Sequence, residues 1–474
     1  MGMPRLGGAG ASAYNDSHSG CSFAFVGTMA RTGTFRLGTG AGFSADRLDP
    51  AVDLVERGNL DAIVFECLGE RTLAFAYRDR AADPERGYTP LLARRMRAIL
   101  PAAIANGTRI VTNMGAANPP RAANITRDIA RELGLTGIRI AYVEGDDVSE
   151  GVGPDTPLWE GMTVEEVGRK LIGAHAYLGA DALMPALESQ AHVVITGRVA
   201  DPSLYVAPLR HHFHWSGDDW QALGAGTVVG HLMECAGQIT GGYFADPGCK
   251  NVDGLARLGF PIAEVQPDGG VCITKLERTG GVVDERTVKE QLLYEVHDPS
   301  CYLTPDVCAD FTGVRIETLA PDRVGISGAG GGAAPGAYKL TVAFEGGYVA
   351  EAGISYAGPG AQARAELAGR IVAERMAGVH ASNAPLRVDV IGSASLHATA
   401  RRYHDDGMDV RLRCAQRVSS LEQAELLLWE VESLLCCGPA GGGGYRGSAT
   451  PSVLTYSASM AREKVTARTE ILVA

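Results

Sequence analysis

The chain has 474 residues, 46% of them hydrophobic and 21% charged, with a net charge of −12. That is the composition of a globular chain long enough for two or three domains of roughly 150 residues. The acidic balance argues against nucleic acid or an anionic membrane surface as partner, and no apolar run approaches the roughly 20 residues that cross a bilayer.

Residues 1–34, biased towards glycine, serine and alanine, read as a flexible N-terminal extension. From Phe35 to about residue 200 short apolar runs alternate with amphipathic stretches. FRLGTGAGF leads to DPAVDLVERG, DAIVFEC to PLLARRMRAILPAAIANG, and RIVTNMG to PPRAANITRDIARELG; IRIAYVEGDD and HVVITGR follow. Ile125, Ile129 and Leu133 recur every four residues on one helix face. Asn118 before Pro119 reads as an N-cap with proline at the first helical position, and Asp49 before Pro50 reads the same way. Buried strands alternating with helices predict an α/β, mainly parallel, Rossmann-like sheet over 35–200.

Residues 201–360 read as a docked, mixed α+β lobe. The helical stretch VVGHLMECAGQIT, the helix TVKEQLLYEV and several strands fall here, with Gly269–Gly270 and Gly346–Gly347 as hairpin turns. Residues 361–474 read as a small C-terminal α+β portion. It ends in a glycine-rich loop and the strand TARTEILV. Ser419 with Glu422, or Ser420 with Gln423, forms a capping box for its second helix, and Gly438–Pro439 stops that helix. The run GPAGGGGYRG therefore follows a helix C-terminus, whose negative pole opposes an anion, so it is no P-loop. Its use is close backbone approach, to a neighbouring element or to a flat ligand, with Arg446 as the nearby cation.

Gly38, Gly40 and Gly42 follow a strand and form a better anion cradle, but Phe43 stands where a dinucleotide fingerprint has its third glycine. No nucleotide cofactor is predicted. In an open parallel sheet ligands bind beyond the carboxyl ends of the strands. The polar residues there are Glu66 and Cys67, Asn113, Glu144 with Asp146 and Asp147, then Thr196, Arg198 and Asp201. His231, Glu234, Cys235 and Gln238 share one helix face and bring a base, an acid and a thiol together. The segment YEVHDPSCYLTPDV adds His297, Asp298 and Tyr302. His211, His212 and His214 match no zinc spacing and read as a surface loop. Ten cysteines without tight spacing read as reduced thiols in a cytoplasmic protein, without a disulfide framework.

Taken in order, GAGFSADRLDPAVDLVERGNLDAIVFECLGERTLA, RIVTNMGAANP, IAYVEGDDV, ITGRVADPSL, GHLMECAGQITGGYF, YEVHDPSCYLTPDV and GPAGGGG resemble the acyclic terpene utilisation (AtuA-type) family, from Phe35 to Gly444. The resemblance implies a place in the breakdown of acyclic terpenols, a route that runs through acyl-CoA thioesters by carboxylation, hydration and cleavage. It also raises a homo-oligomer or a small ferredoxin-like partner.

The expectation is then a lyase or hydratase acting on a small molecule, an acyl-CoA or a branched carboxylic acid. His297 or His231 serves as base and Glu144 or Asp146 as acid, with Glu66 and Cys235 beside them. Asn113, Arg198 and the Gly38–Gly42 amides would stabilise an enolate. Asp201, Asp298, Tyr302 and Arg446 would touch substrate. Two other readings stay open. One is a divalent-metal enzyme on a free acid, with EGDDV as the cradle; the other is a non-catalytic accessory subunit of an acyl-CoA pathway complex.

Overall fold

A computed structural model describes residues 33–392 and 409–474. The predicted extension lies, through residue 32, outside the described residues. In chain order the first stretch runs β1 (Phe35–Ala41), α1 (Asp49–Arg57), β2 (Ala62–Phe65), α2 (Glu70–Ala82), α3 (Leu92–Asn106), β3 (Arg109–Thr112), α4 (Pro119–Glu132), β4 (Arg139–Glu144), β5 (Leu171–Ala176), α5 (Met184–Glu188) and β6 (Val193–Thr196). Strands β1, β2, β3, β6 and β4 lie side by side and parallel. Both their faces are covered. Leu37, Val64 and Val111 enter one apolar core and Ile63, Phe65 and Ile110 the other, so these strands read as unbroken apolar runs.

Helix ends follow local chemistry. Asn118 accepts the Arg121 N–H at 3.3 Å, as its place before two prolines predicts. Asp49 does not cap α1. It is the first helical residue, after Leu48, and sets negative charge in the first turn, where the helix dipole favours it.

The next elements are α6 (Ser203–Phe213), α7 (Trp220–Met233), β7 (Pro261–Val265), β8 (Val271–Lys275), α8 (Glu285–Leu293), β9 (Tyr302–Leu303), β10 (Cys308–Asp310), β11 (Arg315–Ala320), β12 (Arg323–Ser327) and β13 (Gly330–Gly332). The expected mainly parallel sheet is in fact mixed. Strands β7, β8, β12 and β11 continue it antiparallel from β1. The alternation of strand and helix in the sequence reports only the parallel centre, because antiparallel neighbours need no helical crossover. Gly269, at φ +84°, turns β7 into β8 as predicted. His211 and His212 are not in a loop: they end α6, His214 is its left-handed cap, and the His212 ring lies 4.7 Å from Phe35. Cys301 and Cys308 are joined as a disulfide, against the expectation of reduced thiols throughout.

The last stretch holds β14 (Ala337–Ala357), α9 (Ala361–Gly378), β15 (Leu386–Ile391), β16 (Asp409–Val418), α10 (Leu421–Cys437), β17 (Gly443–Ala461) and β18 (Arg468–Val473). A second sheet runs β15-β16-β14-β17, with β5 also on β14. α9 and α10 pack into its core through Ala365, Val372, Leu427 and Val431. Gly346–Gly347 does not turn a hairpin. It makes a bulge inside the 21-residue β14, where pairing with β17 shifts between Glu345 and Tyr348. Ser420 and Gln423 cap α10, but Gly438 is extended rather than left-handed. The glycine run leads into β17, and β18 returns to pair antiparallel with β4. Among the described residues no helix is long and apolar enough to cross a membrane.

Candidate functional site

A cavity of about 500 Å³ opens beyond the carboxyl ends of the parallel strands. Gly42 and Glu66 reach it from β1 and β2, and Asp201 from the turn after β6. Glu234 and Cys235 come from the end of α7, and Tyr294 and Glu295 from the end of α8. Gly42 makes this meeting possible. A Cβ there would stand 2.5 Å from the Cys235 carbonyl carbon, so only glycine lets β1 abut the end of α7. Gly38 and Gly40 are filled from inside instead, by Leu60 and the Phe65 ring. They serve strand packing, not an anion.

Glu66 is 6% exposed. Its Oε1 accepts from Asn113 Nδ2 and from the Leu68 N–H, each at 2.8 Å, while Asn113 Oδ1 takes the Cys67 N–H at 2.7 Å. Burial, with the Asp201 carboxylate adding to it, pushes the Glu66 carboxyl up to about 8 against the pull of Arg198. Arg198 is itself buried. It donates to the Leu68 carbonyl, pairs with Asp201 at 2.9 Å and stacks 4.0 Å over the Tyr177 ring.

Glu234 forms the second acid. His231 Nδ1 meets its Oε1 at 2.9 Å, and Gln291 Nε2 donates to the His231 carbonyl at 3.2 Å. His231 Nε2 and Glu234 Oε2 have no hydrogen-bond partner although both are buried. Burial raises the Glu234 carboxyl to about 7, and His231 restrains the rise. The neighbouring Cys235 thiol is driven up by burial and then by Glu234, so it stays protonated. That state opposes a nucleophilic role.

Asp146 sits one layer behind. It accepts the Arg198 N–H at 2.8 Å, and its carboxyl, raised by burial to about 7, lies 3.9 Å from His175. His175 is fully buried, both its ring nitrogens lack partners, and burial lowers its pKa to about 3. Asp147 pairs instead with Arg80 at 2.9 Å, and Glu144 stands near Glu470 of β18. The three carboxylates of EGDDV thus differ in their nearest partners, although the Arg80 charge acts on all three. Among the described residues no three metal-ligating side chains are gathered.

Of the residues singled out from sequence, Gly42, Glu66, Asp201, Glu234, Cys235 and Gln238 line the cavity. Asn113, Arg198 and His231 hold the lining residues from behind, and Tyr302 backs His231, their rings 5.2 Å apart. Glu144, His297, Asp298 and Arg446 do not line it. His297 and Asp298 are exposed, with Asp298 accepting the Ser300 N–H. Arg446 is exposed on β17 in the second sheet. Asp46, Arg47, Tyr243 and Glu295 line the cavity without having been foreseen. Asp46 accepts the Gly42 N–H at 3.0 Å, and Tyr243 and Glu295 hold positive φ in the loops after α7 and α8. Five carboxyl groups face the space, and among the described residues Arg47, exposed at the mouth, is the sole basic side chain on the wall.

A family model described as acyclic terpene utilisation family protein AtuA matches residues 35–471. No curated protein and no solved structure matches.

Proposed function

The chain belongs to the acyclic terpene utilisation family AtuA, and on that footing we propose that it adds water to, or removes it from, a carbon–carbon double bond of an acyclic isoprenoid acid or its thioester. One observation carries the reading: Glu66 and Glu234 face a single cavity with carboxyls raised to about 8 and about 7. A general acid and a general base work best with pKa values near the operating pH. Glu66, the weaker acid of the two, keeps its proton and delivers it to carbon. Glu234, positioned by His231, accepts the proton that water gives up as its oxygen bonds to carbon. For elimination the roles reverse. Neither group needs a histidine as base, so His231 acts by holding Glu234. A thioester's coenzyme A portion would remain outside, near Arg47, because its phosphates would be repelled by the acidic wall.

The test is incubation with unsaturated acyclic isoprenoid acids and their coenzyme A thioesters in deuterated water. The expected result is one deuterium on carbon and a gain of one water, with Glu66→Gln reducing the rate about 10²–10⁴-fold. Absence of exchange and of hydrated product with every substrate of this class overturns the reading.

A further inference from the structure

The wall of the cavity also bears on which double bond is attacked. Hydration conjugate to a carbonyl passes through an enolate, which needs hydrogen-bond donors or cations aimed at the developing negative charge. The donors that the sequence suggested for that task are engaged elsewhere. Asn113 Nδ2 is on Glu66, Arg198 Nη1 is on Leu68 and Asp201 while its unpartnered Nε is buried off the wall, and the Gly42 N–H is on Asp46. With the Gln238 amide turned to Tyr294 and Arg47 out at the mouth, most of the polar groups that face the space are of the opposite kind. Asp46, Glu66, Asp201, Glu234 and Glu295 contribute carboxyls, and Glu234, 9% exposed, has an Oε2 without a partner. Aromatic rings complete the wall. Phe43 is 57% and Tyr243 86% exposed at the mouth, the latter edge-on to Tyr294 at 6.5 Å, with Phe260 deeper in. Carboxylates and aromatic faces attract positive charge, whether on nitrogen or on carbon.

We propose that the cavity stabilises positive charge on a hydrocarbon skeleton, so that the reacting bond is an isolated, electron-rich trisubstituted alkene rather than one conjugated to the carboxyl end. This rests on the hydration reading above and deepens it. The step balances as follows. The carboxyl proton of Glu66 passes to the less substituted alkene carbon, and the π pair becomes the new C–H bond. The more substituted carbon, left positive beside the new Glu66 carboxylate, takes the oxygen of water, and Glu234 receives the water proton. The product is a tertiary alcohol, and the charged end of the substrate points outwards.

The experiment is calorimetric titration at pH 7 of the wild type with two probes. One is an acyclic tertiary amine, protonated at nitrogen, whose nitrogen replaces the branched carbon; the other is its neutral saturated hydrocarbon-chain isostere of equal length. The amine is expected to bind at least about 10-fold more tightly. Because a bound cation favours ionised carboxylates, its binding should release protons, seen as a dependence of the heat on the buffer's ionisation enthalpy. Asp201→Asn combined with Glu295→Gln should remove most of that preference, and Phe43→Leu should weaken the amine roughly 2- to 10-fold. Equal binding of the two probes, or a preference unaffected by those substitutions, overturns the proposal. So does turnover confined to alkenes conjugated to the thioester, an outcome that leaves the hydration reading standing. Selective amine binding without turnover of any isoprenoid acid supports the cation site and overturns the hydration reading instead.

Discussion

On α10, packed against the second sheet, Glu430 is 3% exposed, yet Arg375 reaches it with two hydrogen bonds of 2.6 and 2.9 Å and His380 with a third of 2.6 Å. Those hydrogen bonds, Arg375's first, hold its carboxyl below the usual range although burial opposes them. Asp389, on β15, is met in the same way by Arg413 at 2.8 Å and Arg387 at 3.0 Å. At the cavity Glu66 is about as buried, but its two hydrogen bonds come from an amide side chain and a backbone N–H. The nearby guanidinium is already paired with Asp201. One region thus buries its acids with counter-charge, whereas in the other Glu66 is buried without a cation of its own. Burying an ionisable group without a partner costs free energy, and the group responds by holding its proton. Where such a carboxyl also faces a cavity, as Glu66 does and the likewise raised Asp146 does not, it is placed to transfer a proton near neutral pH.

Two substitutions separate the regions most clearly. Glu66→Gln keeps the shape and the neutral state, so catalysis should fall about 10²–10⁴-fold while the folded state is retained. Glu430→Gln should leave the rate unchanged and lower stability by about 1–3 kcal/mol, because Arg375 and His380 lose a charged acceptor. Steady-state rates and urea unfolding on both variants check this. Matching effects from the two would erase the distinction between site and scaffold.

The pH profile follows. If Glu66 must hold its proton and Glu234 must lose its own, the hydration rate falls above about 8 and below about 7. Each limb should approach a tenfold change per pH unit. Glu66→Gln should remove the alkaline limb from whatever residual rate it retains. A profile flat from pH 5 to 9 contradicts both assignments.

Much of the cavity was legible because polar residues at the ends of apolar parallel strands have one place to go. Glu66 and Asp201 were found by that rule, Gly42 as part of a glycine cradle after a strand, and Glu234, Cys235 and Gln238 by their helical spacing from His231. Glu144 obeyed the same rule and still lies elsewhere. β4 is flanked by β18, whose Glu470 stands beside it, and nothing local foretells a strand arriving from so far along the chain. The long β14 was hidden for a similar reason. A glycine pair marks positive φ equally well in a hairpin and in a bulge, and the choice is made by β17, which continues past it. His297 beside Asp298 has the composition of a catalytic pair, but the stretch between α8 and β9 leaves both in solvent.

Two glycines differ in the same way, with smaller effects. Gly42→Ala forces a Cβ to within 2.5 Å of the Cys235 backbone, so β1 or the end of α7 must move. The expected cost is about 1–3 kcal/mol, and the rate should fall as well, because the shift carries Glu234 away from Glu66. Gly444→Ala, at φ +65° with open space around it, should cost only the roughly 1 kcal/mol of a left-handed alanine and leave the rate alone. Equal rates for the two variants would separate the close approach at Gly42 from the chemistry.

The smallest effect lies in how stability varies with pH, and its sign differs between the regions. The Glu66 carboxyl ionises near 4.5 when exposed and at about 8 when folded. Between those values the unfolded chain gives up a proton that the folded chain keeps, so the contribution of Glu66 to stability declines as pH rises from about 4.5 to about 8 and then levels off. Glu430 is depressed by Arg375, so its contribution is present above the ordinary carboxylate value and is lost as pH falls below it. The melting temperature of Glu66→Gln relative to wild type should therefore climb by roughly 1–4 °C between pH 5 and pH 8. That of Glu430→Gln should lie below wild type at pH 7 and approach it only in acid. Differential scanning calorimetry across that range reads both slopes at once. Parallel slopes would mean that the acid in the cavity is compensated like the one in the scaffold, and its proton would then be no more available to a substrate than that of Glu430.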